Sequence, residues 1–151
     1  NASWNGWDDT APTASVFSLG SYDDVNGPSD TYIAYCFHSV DGFSKVGGYT
    51  GNNSTNGPFV YTGFAVRYVM IKHAGTGDWL TVDNVRFPDN PKNGSLAANL
   101  SNAESYFSGN TIDLLSNGFK IRTTNSVYNQ SAGTYIYLAF AEDPFKYSNA
   151  R

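Results

Sequence analysis

Apolar positions recur along this chain in short runs with a period of two, divided by polar stretches rich in Gly and Asn, the pattern of half-buried strands joined by tight turns. Residues 15–19 (SVFSL) set Phe17 and Leu19 between polar neighbours and read as a strand, after an irregular lead-in over residues 1–13. Gly20 opens a loop through Asp23, Asp24, Asn26, Gly27 and Pro28. Residues 31–37 (TYIAYCF) follow, with Ile33, Tyr35 and Phe37 on one face and Tyr32, Ala34 and Cys36 on the other. Both faces are apolar, so this strand is expected in the interior, with Cys36 as a small buried residue rather than a reactive thiol.

The same order returns near the other end. Residues 119–122 (FKIR) alternate, a polar loop runs through Asn125, Val127, Asn129 and Gly133, and residues 134–140 read TYIYLAF, an offset of 103 from the first copy. In both copies the isoleucines and aromatics are expected to turn inward. A strand, a loop and a strand are therefore written twice. Two explanations fit: a pair of quasi-equivalent hairpins inside one sandwich, or the end of one domain copy followed by a complete second copy. Between the copies, residues 67–73 and 78–83 flank the Gly-rich turn 74–77 and predict an antiparallel hairpin. Residues 95–101 and 111–115 are weaker strand candidates, and 96–100 also suits a helical turn. Frequent short strands without a long helix predict an all-β fold, an antiparallel two-sheet β-sandwich.

Composition sharpens this. Among 151 residues, 16% are aromatic and 15% charged, a mixture suited to pleated surfaces and polar turns. A net charge of −4 with scattered Lys and Arg lacks a nucleic-acid footprint, and no apolar run is long enough for a transmembrane helix. The first residues lack the pattern of a signal peptide, and the absence of an initiator Met suggests a piece of a longer product. A single cysteine excludes a disulfide within the chain.

Candidate chemistry is sparse. Glycoside hydrolysis usually needs facing carboxylates. The two Glu, Glu104 and Glu142, stand far apart in sequence, and the eleven Asp sit mostly in turns, where they bond their own backbone. Glu142 reads as a solvated acid at a strand end. His38 and His73 lie singly in predicted strands without zinc spacing, and no ordered acidic ladder marks a calcium loop, so neither a metal nor another cofactor is expected. No acyl-transfer or phosphate-binding motif occurs. Binding has more material, because sugars are held by an aromatic face beside Asp, Asn and backbone groups. Trp4 and Trp7 beside Asp8, Tyr22 beside Asp23, and Trp79 beside Asp78 are the candidate platforms. Against this, Trp79 is expected to point into the core, while Trp4 and Trp7 equally suit docking on a neighbouring chain.

Several segments carry a resemblance: TAPTASVFSLG (10–20), DTYIAYCFHSVDGFSKVGGYTGN (30–52), GPFVYTGF (57–64), RYVMIKHAGTGDWLTVDN (67–84), IDLLSNGFKIR (112–122) and GTYIYLAFAEDPFKYSNAR (133–151). The chain resembles the C-terminal region of a family of structural proteins of marine bacteriophages. The resemblance implies a jelly-roll or lectin-like sandwich in a tail fibre or other surface appendage of the virion, with no catalytic motif. It also implies tandem modules, with residues 1–43 resembling the end of a preceding module and 44–151 a complete one. The departure from the family's pattern is the Pro-rich loop 86–91, beside the GDW hairpin. The expected partners are other virion subunits in a homo-oligomer. The alternative is a module binding a carbohydrate receptor on the host surface.

Overall fold

The computed structural model describes residues 6–106 and 111–144. They divide into two compact units, residues 1–36 and 37–151.

The second unit is an all-β antiparallel two-sheet sandwich. Among the described residues its strands are β1 (Ser44–Thr50), β2 (Phe59–Tyr61), β3 (Val66–His73), β4 (Leu80–Asp83), β5 (Gly94–Ala97), β6 (Ser105–Tyr106), β7 (Ile112–Leu115), β8 (Gly118–Ile121) and β9 (Thr134–Ala141). One sheet has the order β1-β9-β3-β4-β5-β6 and the other β2-β8-β7. The β3–β4 pair is the hairpin expected from the sequence, in the register Ile71↔Leu80 and Val69↔Val82. Its connection is wider than residues 74–77 alone, because pairing stops at Ile71 and Leu80.

Strand β9 lies between β1 and β3, paired Tyr137↔Gly47 on one side and Tyr137↔Ile71 on the other. With a period of two, Tyr135, Tyr137, Ala139 and Ala141 face the core. There they meet Val69, Ile71 and Val82 of their own sheet and Val60, Ile112, Phe119 and Ile121 of the other. The Phe119 ring stands edge-on to Tyr137 at 5.2 Å and to Tyr49 at 6.1 Å, joining the two layers. Of TYIYLAF, only Tyr135, Tyr137 and Ala139 turn toward the core. Ile136 faces outward and is exposed, and Phe140 packs on the outer side against Phe37, Phe43 and Tyr68. The close partner of Tyr137 is a glycine for a steric reason: a Cβ on Gly47 would come within 2.8 Å of the Tyr137 hydroxyl.

A one-turn helix, α2 (Ser126–Asn129), precedes β9, with the Asn125 side chain accepting from the Val127 amide at 3.1 Å. Asn129 is fully buried. Its amide nitrogen faces Asn52 Oδ1 at 3.1 Å, the Ser54 carbonyl at 2.8 Å and the Thr123 carbonyl at 2.8 Å, while its Oδ1 accepts from the Asn52 amide at 2.7 Å. One side chain thus fixes the loop after β1 to the entry of β9. Left without these partners, a buried amide costs about 1–3 kcal/mol.

The first copy of the repeated phrase departs from expectation. Residues 31–37 belong to no strand, and Ile33 and Tyr35 are 78% and 80% exposed. Cys36 is also exposed, not buried. Residues 15–19 form no strand either, and His38 lies outside any strand. The pattern of apolar residues was sound for a strand, but a strand needs a neighbour with which to share its hydrogen bonds. The first unit instead holds a one-turn helix, α1 (Asp23–Asn26). Of the two explanations for the repeat, the pair of hairpins within one sandwich fails, since the first copy gives no strand to either sheet. Residues 37–43 belong to the second unit through the Val40↔Ser44 bridge and the Phe37 and Phe43 rings against Phe140.

Candidate functional site

The loop after β4 is a strap built from its own sequence. Asp83 accepts from the Val85 and Arg86 amides at 2.9 and 2.8 Å, turning the chain, and pairs with Arg86 Nε at 2.5 Å. Arg86 Nη1 also binds Glu104. Burial disfavours the charged Asp83 carboxylate, but the hydrogen bonds and charge of Arg86 and the Val85 amide outweigh it and hold its pKa below the usual range. Phe87 occupies the space beside Gly94, where a Cβ would lie 2.1 Å from its ring. Asn90 imitates a strand, donating from Nδ2 to the Leu114 carbonyl at 2.7 Å and accepting from the Leu114 amide at 3.0 Å. Lys92 is 1% exposed and donates to the Pro88 and Asp89 carbonyls at 3.0 and 3.1 Å, while burial, partly opposed by Asp89 and other acids, pushes its pKa down.

This strap forms one wall of an open groove of about 360 Å³ whose other residues include Val66, Asn84, Ser116 and Glu142. Glu142 accepts from Asn84 Nδ2 at 2.9 Å and lies 3.9 Å from Arg67. Its carboxylate at the end of β9 is therefore held by an amide and a cation. The groove's charged groups answer one another or the backbone, an arrangement that stiffens the loop. The Pro-rich segment 86–91 is part of this brace.

A second place brings a predicted pair together with a residue that sequence reasoning missed. Asp78 Oδ1 accepts from Asn99 Nδ2 at 3.0 Å, Asn99 Oδ1 accepts from the Trp79 amide at 3.0 Å, and the Trp79 carbonyl accepts from the Ala98 amide at 2.7 Å. Asn99 thus ties the turn after β5 to the approach to β4. Trp79 was expected in the core and is instead exposed. Strand β4 begins at Leu80, and because Leu80 and Val82 point inward, the preceding side chain points out. An exposed indole next in the chain to a carboxylate that is paired with a carboxamide is chemistry suited to a sugar ring. Asn99 carried no signal beyond being an Asn in a turn.

The remaining candidates lie in the first unit. Trp4 is outside the described residues. Trp7 is exposed and edge-on to Phe17 at 6.2 Å. Asp8 has φ 52° and its carbonyl accepts from Thr10 Oγ1 at 2.8 Å, a turn role. Tyr22 caps α1, and the carbonyl of Asp23 accepts from the Tyr32 hydroxyl. Asp23 thus joins Tyr22 at the start of a helix turn, while Trp7 pairs with a phenyl ring. His73 has a structural setting, its ring 4.9 Å from that of Tyr135 and Nδ1 3.2 Å from the Thr76 carbonyl.

Exposed apolar side chains are the other surface feature. Val46 and Ile136 lie on the outer face of the larger sheet, and Phe59 and Tyr61 on the outer face of the smaller. No curated protein and no solved structure matches the chain. A family model described as "Domain of unknown function (DUF7483)" matches residues 1–144, across both units. The chain belongs to that family.

Proposed function

We propose that the protein is a non-enzymatic structural module of a bacteriophage virion, placed in a tail fibre or another surface appendage, where it holds neighbouring subunits in a homo-oligomer. The virion part of this reading comes from the sequence resemblance. The contact role is carried by one observation: large apolar side chains stand in solvent on both outer sheet faces, while the charged groups of the groove, Glu142 and Lys92, are held by Asn84, Arg67 and backbone carbonyls. Apolar surface of this kind is what subunit contacts cover. Sedimentation across a wide concentration range tests the contact role. Association is expected, weakened about 10-fold or more by Ile136→Lys or Tyr61→Lys, a loss of roughly 1.4 kcal/mol. A chain that stays monomeric throughout refutes it. A map of the assembled particle by electron microscopy tests the virion assignment, with density for the module expected at the particle surface.

The grouping of Trp79, Asp78 and Asn99 favours a second reading, a module that grips host-surface carbohydrate. Under it, bacterial polysaccharide changes the indole fluorescence and Trp79→Ala abolishes the change. Stability should shift by only about 0.5 kcal/mol, because the side chain is exposed. No response from the unmodified protein removes this reading.

A further inference from the structure

Residues 20–32 and 123–135 share a set of hydrogen bonds as well as a sequence phrase, all at the offset of 103. The Val25 amide donates to the Tyr22 carbonyl at 3.1 Å, as Tyr128 does to Asn125 at 3.0 Å. The Asn26 amide donates to the Tyr22 carbonyl at 2.9 Å, as Asn129 does to Asn125 at 2.8 Å. Asn26 Nδ2 reaches back to the Gly20 carbonyl at 2.9 Å, and Asn129 Nδ2 to the Thr123 carbonyl at 2.8 Å. The Gly27 amide donates to the Tyr32 hydroxyl at 2.8 Å, and the Gln130 amide to the Tyr135 hydroxyl at 2.7 Å. Each hydroxyl then donates to the first carbonyl of its helix, Asp23 or Ser126. Apart from the Asn and the Tyr, the contributing groups are backbone, so the shape persists where the sequence has drifted.

The surroundings differ. Asn129 and Tyr135 are fully buried, whereas Asn26 is exposed and Tyr32 is 43% exposed. Strand β9 has a ladder on each side. Among the described residues, the backbone of residues 33–37 has no hydrogen-bond partner. Unpaired apolar backbone beside an intact entry motif is a strand without its sheet.

We propose that residues 20–37 are the closing helix turn and central strand of a second copy of this sandwich, and that TYIAYCF is completed by strands equivalent to Ser44–Thr50 and Val66–His73 from a further copy of the module. The offset places Tyr32, Ala34 and Cys36 where Tyr135, Tyr137 and Ala139 face the core. It places Ile33, Tyr35 and Phe37 at the positions of Ile136, Leu138 and Phe140 on the opposite face of β9, where Ile136 is exposed and Leu138 is covered. The partner is also specified sterically. Tyr137 fills the space over Gly47, and Ala34 at that place would leave it empty, so the completing copy carries a residue larger than glycine at the position of Gly47. The inference rests on the two hydrogen-bond sets and is independent of the virion assignment, so the failure of either leaves the other intact.

The test places residues 44–122 upstream of residue 20 in the chain, in one version unchanged and in another with Gly47→Leu in the added copy. Reaction of Cys36, the chain's sole cysteine, with a disulfide reagent is followed together with hydrogen exchange over residues 31–37. Completion of the sheet slows Cys36 labelling roughly 100-fold relative to the 151-residue chain and protects the amides of residues 33–37, more strongly in the Gly47→Leu version. Unchanged labelling in both versions overturns the proposal. A second variant needs no added strands: residues 20–37 replace 123–140 within the chain, with Ala34→Tyr in the transplanted copy to refill the space over Gly47. Cooperative unfolding supports the equivalence of the two segments, and its loss overturns it.

Discussion

Tyr32 and Tyr135 each bridge a helix turn with one hydroxyl, yet one ring stands 43% exposed and the other is fully enclosed. Tyr135 stacks on Tyr49 with ring centres 4.9 Å apart and planes within 7°. The comparison separates two kinds of information. The turn, the Asn reaching back and the Tyr hydroxyl are short-range features that a stretch of chain produces by itself. The strand that follows is set by what lies beside it, since an isolated strand leaves its backbone groups to water. Two segments nearly alike in sequence therefore share their local bends and differ in everything that needs a neighbour.

The largest effect that would sharpen this contrast is on the rings. Tyr135→Ala removes an enclosed aromatic and its bridge, with an expected cost of about 3–5 kcal/mol in denaturant unfolding. Tyr32→Ala is expected to cost within about 1 kcal/mol. Equal losses would break the comparison. Next come the amides: Asn129→Ala strands the groups of Asn52, Ser54 and Thr123 and should cost roughly 2–3 kcal/mol, against about 0.5 kcal/mol for Asn26→Ala. The same denaturant curves decide it.

A separate effect is a dependence on pH that belongs to the enclosed copy. Burial raises the pKa of Tyr135 and Tyr137 from 10.0 and pushes Tyr128 up to about 12. The unfolded chain then loses these protons at a lower pH than the folded one. For Tyr128 the stabilisation is full below pH 10 and is lost as pH rises through about 12, on the order of 3 kcal/mol. Tyr128→Phe should flatten the fall in melting temperature above pH 10. An unchanged alkaline profile in that variant would show that the ring titrates as freely as one in water.

Much of the sandwich was legible where two-residue alternation was strong, as in β3, β4, β8 and β9. Strand β1 was not, because Gly47 and Gly48 interrupt its pattern. Those positions open the strand to ring and backbone of β9, since a Cβ on Gly48 would lie 2.9 Å from the Tyr135 carbonyl. Strand β2, at three residues, is too short for periodicity to register. The first TYI segment misled because alternation reports what a segment is suited to and says nothing about whether a partner is in reach. At the candidate site, Asp78 and Trp79 were legible as an aromatic beside an acid, but the outward direction of Trp79 depended on where β4 began. Asn99, twenty residues further on, was invisible because only the folded turn brings it across.

The approach of Tyr137 to Gly47 has a consequence for how the chain reaches its native pairing. Two sibling segments can compete for the slot between β1 and β3, and mistaken occupancy is a recurrent hazard in proteins that repeat themselves. The genuine occupant brings a phenol ring to the bare backbone of Gly47, whereas the rival brings only the methyl group of Ala34 and leaves a hollow. A bare glycine on one strand thus favours the sibling that carries a phenol ring over its near twin, which would leave the space unfilled.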